Sequence, residues 1–141
     1  MIAVDTNILV YAHREELPLH NKALARLIQL AENPEPWALP VFCIGEFLRV
    51  ITHPTLFDPP SPLEQGLAAI KGLVESPSLT VLNPGDRFFT FLTDIIHTAD
   101  ARGNLIYDAQ IAAVCREHGV KDILSEDRDF KRFDGITLHT L

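Results

Sequence analysis

The first nine residues, MIAVDTNIL at positions 1–9, decide the fold that the rest of the chain is expected to adopt. Ile2–Val4 is a short apolar run of the kind that forms a strand buried on both faces, and Asp5 follows it directly. Ile8–His13 is then predicted to form a short helix. A strand that ends at an acid and passes into a helix is typical of α/β proteins, in which ligands bind at the carboxyl ends of the strands.

Further strands and helices alternate along the chain after this start. The predicted strands are Trp37–Leu39, Leu79–Leu82, Val120–Leu124 and Ile136–Leu138. The predicted helices are Leu17–Ala31, Val41–Ile51, Pro62–Glu75, Arg87–Ala101 and Tyr107–His118, the last closed by Gly119 in a left-handed conformation. Short strands that alternate with helices require crossover connections. We therefore predict an α/β fold with a mostly parallel central sheet flanked by helices.

Length and composition limit the class of protein. At 141 residues the chain has the size of a single domain, so residues 1–141 are treated as one unit. Hydrophobic residues make up 47% of it, enough to form a core, and no apolar run approaches the roughly 20 residues of a transmembrane helix. The N-terminus lacks the basic and apolar regions of an export signal, so we expect a cytoplasmic protein. Cys43 and Cys115 lack a C-x-x-C spacing, which favours buried thiols over a disulfide or a zinc site.

The charge balance is acidic. Twelve basic residues against nineteen acidic ones give a net charge of -7. This disfavours a protein that coats nucleic acid electrostatically. It does not exclude a nuclease, because a metal-dependent active site itself concentrates negative charge.

Two acids follow predicted strands. Asp5 comes after the first strand and Asp127 comes shortly after Val120–Leu124, so both are expected at the same edge of a parallel sheet. Each has an ordinary alternative. Asp5 is suited to cap the helix that follows it, and Asp127 lies in a mixed charge run of the kind that often forms a solvated turn.

Two more acids lie on helices that are otherwise almost wholly apolar. Glu46 is within Val41–Ile51 and Asp108 is near the start of Tyr107–His118. A carboxylate on a buried helix is costly unless it is paired or binds a cation. The alternatives are a salt bridge from Glu46 to Arg49 and, for Asp108, the favourable position of an acid in a first helical turn.

Convergence of the four acids is simpler than four separate structural explanations. Clustered carboxylates repel one another unless a divalent cation offsets their charge. Ligation by oxygen alone suits Mg²⁺ or Mn²⁺, and the histidines show no zinc-binding spacing. Because Mg²⁺ readily takes phosphate oxygens as further ligands, the expected substrate is a phosphodiester or phosphoryl compound.

The acid-bearing segments together resemble a known family. They are IAVDTNIL at 2–9, IGEFLR at 44–49, GNLIYDAQIAA at 103–113 and ILSEDRDF at 123–130. In this order the chain resembles a PIN-domain ribonuclease and, within that family, a VapC-type toxin of a toxin–antitoxin pair. Ser125 stands where the family usually has Thr, a change that keeps the hydroxyl.

The resemblance implies metal-dependent cleavage of single-stranded or looped RNA, a homodimer, and a cognate antitoxin whose peptide occupies the active-site groove. It implies that Asp5, Asp108 and Asp127 bind Mg²⁺ or Mn²⁺ and that Glu46 binds through water or acts as a base. Two neighbours are expected to hydrogen-bond these acids, and one further acid competes with Asp127 but ranks lower; these residues are Asn7, Ser125 and Asp129. No residue is assigned to RNA contact, because the basic residues are scattered.

Other functions fit the residues less well. A phospho-accepting receiver domain needs an acid pair after its first strand and a lysine after a late one, whereas Asp5-Thr6-Asn7 has one acid and Lys121 precedes its strand. A haloacid-dehalogenase-like phosphatase needs a second aspartate where Asn7 stands. A binding module without catalysis is disfavoured by the presence of all four acids. A PIN nuclease of RNA processing that is not a toxin remains an alternative within the family.

Overall fold

Five parallel strands form the centre of the molecule in the computed structural model, which describes residues 1–141. The strands are β1 (Ile2–Val4), β2 (Trp37–Pro40), β3 (Leu79–Leu82), β4 (Asp122–Leu124) and β5 (Thr137–His139). The helices are α1 (Thr6–His13), α2 (His20–Glu32), α3 (Val41–Ile51), α4 (Leu63–Val74), α5 (Phe88–Ala99) and α6 (Leu105–Glu117), with a short 3₁₀ helix at Arg128–Arg132. This confirms the predicted α/β class, and the sheet is parallel throughout.

The strand order reverses direction between β1 and β4, at the centre of the sheet. It is β3-β2-β1-β4-β5, so the chain builds outward from β1 on one side and then returns to build on the other. Val4 is level with Leu124, and the Asp5 amide extends the ladder by donating to the Leu124 carbonyl at 3.0 Å. In open parallel sheets such a reversal leaves a crevice at the carboxyl ends of the two adjacent strands. Asp5 and the segment after β4 leave the sheet there.

Helix α6 is the most deeply buried helix near this crevice. Ala109, Ala112 and Ala113 are all 0% exposed, and their small side chains let the helix backbone lie close to its neighbours. Cys43 on α3 and Cys115 on α6 are buried free thiols, as predicted. None of the helices combines the length and apolar character that crossing a membrane requires.

Several element boundaries differ from the sequence prediction for local reasons. Helix α1 begins at Thr6 because Asp5 caps it, and α2 begins after Pro18, since the residue before a proline resists helical geometry. Gly119 has a φ of +72° and ends α6 as predicted, and the Val120 amide donates back to the Cys115 carbonyl at 2.8 Å. Val120 therefore belongs to the helix cap, and β4 begins only at Asp122.

Candidate active site

Asp5 is held at the end of β1 with both carboxylate oxygens hydrogen-bonded. It is 5% exposed. The Thr6 amide donates to Oδ1 at 2.7 Å, and the Ser125 hydroxyl donates to Oδ2 at 2.7 Å. Asp5 therefore caps helix α1 through Oδ1, as the alternative interpretation of the sequence proposed. Its other oxygen accepts a hydrogen bond from Ser125, in the segment after β4.

Ser125 joins the two strand ends. Its side chain is completely buried, and its Oγ accepts hydrogen bonds from Asn7 Nδ2 at 3.0 Å and from the Asp127 amide at 2.9 Å. The Asn7 Oδ1 in turn accepts a hydrogen bond from the Glu126 amide at 3.4 Å. The Ser125 hydroxyl also donates its hydrogen bond to Asp5. This one side chain therefore fixes the positions of Asp5, Asn7 and Asp127 relative to one another.

Glu46 reaches the same region from α3. Its Oε2 accepts a hydrogen bond from the Thr6 hydroxyl at 2.9 Å, so Thr6 contacts Asp5 through its amide and Glu46 through its side chain. No ion pair joins Glu46 to Arg49. The carboxylate is thus held by a neutral donor, and Arg49, one helical turn away, does not compensate its charge.

Asp108 approaches from the first turn of α6, where its side chain is partly buried and its carboxylate accepts no hydrogen bond. Its carboxylate lies with those of Asp127 and Asp129, and one oxygen from each is within 4.8 Å of the others. Asp127 Oδ1 also accepts a hydrogen bond from the Asp129 amide at 2.9 Å, which starts the 3₁₀ helix. Asp127 and Asp129 therefore both lie at the cluster, although the sequence ranked Asp129 lower.

Burial and the neighbouring acids raise the pKa values of Asp5 and Asp108. Burial is the main reason that the pKa of Asp5 rises from 3.8 to about 6, with Glu46 and Asp127 adding to it against the hydrogen bonds from Ser125 and Thr6. Burial likewise raises the pKa of Asp108 from 3.8 to about 7, followed by the repulsion of Asp127, Asp5, Glu46 and Asp129. Burial is thus the first cause of both raised pKa values, and the neighbouring carboxylates add to it.

The acids open onto a cavity of about 770 Å³ between α3 and α6. Glu46, Asp108 and Asp127 line it, while Asp5 lies outside the lining and connects to it through Thr6 and Ser125. The volume falls in the range of about 300–1,000 Å³ that is usual for small-ligand sites.

The donor set suits a hard divalent cation. The clustered ligands are carboxylate oxygens, and none of the five acids forms an ion pair with Lys, Arg or His. Oxygen ligands of this kind match Mg²⁺ or Mn²⁺ and do not match zinc or copper. The acids are Asp5, Glu46, Asp108, Asp127 and Asp129.

The structure places the predicted residues in two adjoining groups. Asp108 and Asp127 lie together with Asp129, and hydrogen bonds through Ser125 and Thr6 link Asp127 to Asn7, Asp5 and Glu46. The sequence analysis missed the contribution of Thr6, whose hydroxyl links the first strand to α3. A hydroxyl directly after a strand-end acid is a signal for such a link, but the partner 40 positions away can be identified only in the fold.

Comparison with known proteins adds independent information. A model of the PIN domain family matches residues 2–136. Ribonuclease VapC43 of Mycobacterium tuberculosis is 37% identical over 133 residues, which make up 94% of this chain and 90% of that protein. Ribonuclease VapC31 of the same organism is 33% identical over 136 residues, or 96% of this chain and 95% of that protein.

Two solved structures share the fold. Mycobacterium tuberculosis VapC20, described as a toxin that cleaves the sarcin-ricin loop, superposes with a TM-score of 0.70 at 20% identity and covers 96% of this chain and 98% of that one. The structure of VapBC2 from Rickettsia felis bound to a DNA fragment from its promoter gives a TM-score of 0.72 at 17% identity, covering 100% of this chain and 99% of that one. At identities of 17% and 20%, these two structures show only that the fold is shared.

Proposed function

The chain belongs to the PIN domain family, and from this premise and the geometry of its acids we propose that it is a metal-dependent endoribonuclease acting as the toxin of a type II toxin–antitoxin pair. The observation that carries the proposal is the meeting of carboxylates from α3, α6 and the segment after β4 at one cavity, with Asp5 hydrogen-bonded behind them and no ion pair to any of these acids. An uncompensated cluster of this kind destabilises the fold unless it serves to bind a cation.

We assign Asp5, Asp108 and Asp127 to the metal, with Mg²⁺ or Mn²⁺ as the ion. Asp129 lies close enough to Asp108 and Asp127 to contribute an oxygen as well. When bound, such an ion activates water and offsets the charge that develops on phosphate oxygens. The hydrogen bonds from the Ser125 hydroxyl to Asp5 Oδ2 and from the Asp129 amide to Asp127 Oδ1 orient these two carboxylates.

Glu46 is assigned as the proton acceptor. Its Oε2 is occupied by the Thr6 hydroxyl, which leaves Oε1 to take a proton from the water that attacks phosphorus. Asn7 and Ser125 contact no substrate in this scheme and hold the acids in place. Thr6 has the same positioning role toward Glu46.

The proposed partners are RNA as substrate, a cognate antitoxin, and a second copy of the chain in a homodimer. An antitoxin is supported by the relatives, which are named VapC ribonucleases, and by the fold shared with a VapBC structure. A homodimer is supported by large apolar side chains exposed one helical turn apart, which are Leu24 and Ile28 on α2 and Leu63 and Leu67 on α4. An RNA-cleaving toxin of this type is expected to act in the cytoplasm.

RNA cleavage by the purified protein tests the proposal. We expect cleavage with Mg²⁺ or Mn²⁺, none with EDTA, and none by Asp5→Asn or Asp108→Asn proteins that keep the wild-type circular dichroism spectrum. Undiminished cleavage by both variants would refute the assigned ligands.

Coexpression separates a toxin from a PIN nuclease of RNA processing. If the protein is a toxin, growth arrest on expression is relieved by the product of an adjacent small reading frame that binds the protein. Growth arrest that no adjacent reading frame relieves would contradict the toxin assignment while leaving the nuclease assignment intact.

A further inference from the structure

The cavity has two helical walls with distinct chemistry. Phe42, Gly45, Glu46 and Arg49 share one face of α3, because their spacing follows the helical repeat. Tyr107, Asp108 and Ile111 line the cavity from the facing side of α6. The walls therefore carry an arginine and aromatic side chains beside the acid cluster.

Arg49 is the only Lys or Arg among the residues that line this cavity. It is exposed and makes neither a hydrogen bond nor an ion pair, although Glu46 lies one helical turn before it. In a protein of net charge -7, a cation next to a carboxylate cluster is a local point of attraction for an anion. An arginine whose five donors are unused is suited to phosphate, which it binds through two parallel hydrogen bonds.

Tyr107 is the only exposed residue of helix α6, which is otherwise buried or partly buried. It is 64% exposed, whereas Ala109, Ile111 and most other residues after it in α6 are buried. It immediately precedes Asp108, and its hydroxyl makes no hydrogen bond. An aromatic ring with an open face beside a nuclease centre is suited to stack on an unpaired base, and such stacking tolerates any base.

We propose that Arg49 binds an RNA phosphate next to the one that is cleaved and that Tyr107 stacks on a neighbouring base, so that the two walls hold an unpaired strand across the acid cluster. This inference rests on the proposed ribonuclease function and adds the residues that position its substrate. The aromatic stack requires an unpaired base, which favours single-stranded or looped RNA over a duplex.

Steady-state cleavage of a short unstructured RNA in Mg²⁺, measured over a range of salt concentrations, tests this assignment. Arg49→Ala is expected to raise KM about tenfold with kcat within about twofold of the wild type, because a charge-assisted contact to substrate is lost. The slope of log(kcat/KM) against log[salt] should become shallower by about 0.7, the value for one phosphate contact on a single strand. Arg49→Lys should restore that slope.

Tyr107→Ala is expected to raise KM by about tenfold and to leave the salt slope unchanged, since stacking releases no counterion. Tyr107→Phe should behave as the wild type. The matched controls are Arg26→Ala on α2 and Phe89→Ala on α5, an arginine and an exposed aromatic residue outside the cavity lining, and both should leave KM and the slope unchanged.

The increase in Tm on addition of Mg²⁺ reports separately on the acid cluster and should be the same in all these variants. If the wild type cleaves no RNA, the proposed function itself fails. If the wild type cleaves RNA but Arg49→Ala and Tyr107→Ala keep its KM and salt slope, the positioning inference is wrong and the ribonuclease proposal stands.

Discussion

Replacing Asp108 by Asn should stabilise the metal-free protein at neutral and alkaline pH. The Asp108 carboxylate accepts no hydrogen bond, so replacing it by an amide of the same shape breaks none. The substitution removes one negative charge and with it the repulsion between Asp108 and the acids around it. The pKa of this carboxyl group is raised from 3.8 to about 7, chiefly by burial and then by Asp127, Asp5, Glu46 and Asp129. The folded protein therefore binds this proton more tightly than the unfolded chain does.

The sign and the pH window follow from that difference. Below about pH 4 the carboxyl group is protonated in both states, and the folded state bears no penalty from it. Between about pH 4 and pH 7 the unfolded chain loses this proton while the folded protein still holds it, so the folded state becomes less stable relative to the unfolded one. Above about pH 7 the group is ionised in both states, and the whole cost of the buried charge is present. The shift from 3.8 to about 7 sets an upper limit of about 4 kcal/mol, and because the side chain is partly solvated we expect about 1–2 kcal/mol. For a chain of 141 residues this corresponds to an increase in Tm of about 3–8 °C.

Thermal unfolding in EDTA, followed by circular dichroism between about pH 4 and pH 8, measures the effect. The gain in Tm of Asp108→Asn over the wild type should grow from near zero at the acid end to its full value above pH 7. Addition of Mg²⁺ should stabilise the wild type more than the variant and so narrow the difference. Asp134→Asn, the same change at an exposed aspartate without a side-chain hydrogen bond, is the control and should show no such pH dependence. A variant that is no more stable at pH 8, or equally stabilised at every pH, would refute the reasoning.

Three further predictions concern the network and the core. Ser125→Ala should lower the free energy of unfolding by about 1–3 kcal/mol in urea titrations, because the buried Asp5 carboxylate and the partly buried Asn7 and Asp127 groups lose their shared partner; wild-type stability would contradict the role of Ser125. Thr6→Val should lower kcat for RNA cleavage about tenfold while Thr6→Ser remains near the wild type, since only the hydroxyl that holds Glu46 is removed; equal rates for both variants would contradict the positioning role. Ala112→Leu should destabilise the protein by about 1–3 kcal/mol by overpacking a site that is 0% exposed, and an unchanged urea midpoint would show unfilled space beside α6.

Local signals in the sequence were sufficient for the elements that place the acids. The apolar run Ile2–Val4 before Asp5, and the apolar character of α3 around Glu46, predicted a strand-end acid and a helical acid facing the protein interior. The 3₁₀ helix at Arg128–Arg132 was not predicted, because five residues of mixed charge carry no periodicity. Its formation depends on the Asp127 carboxylate accepting from the Asp129 amide, and this turn also brings Asp129 to the cluster.

The sequence by itself determined the α/β class, the parallel sheet and which acids lie at strand ends or on buried helices, because each of these follows from the pattern of neighbouring residues. Only the tertiary structure decided how those acids are held and what faces them. The hydrogen bond from Thr6 to Glu46, the central position of Ser125 and the unpaired state of Arg49 join or separate groups by contacts across the fold. Such contacts depend on the strand order and helix packing, and no local pattern encodes the distance between side chains that are far apart in the chain.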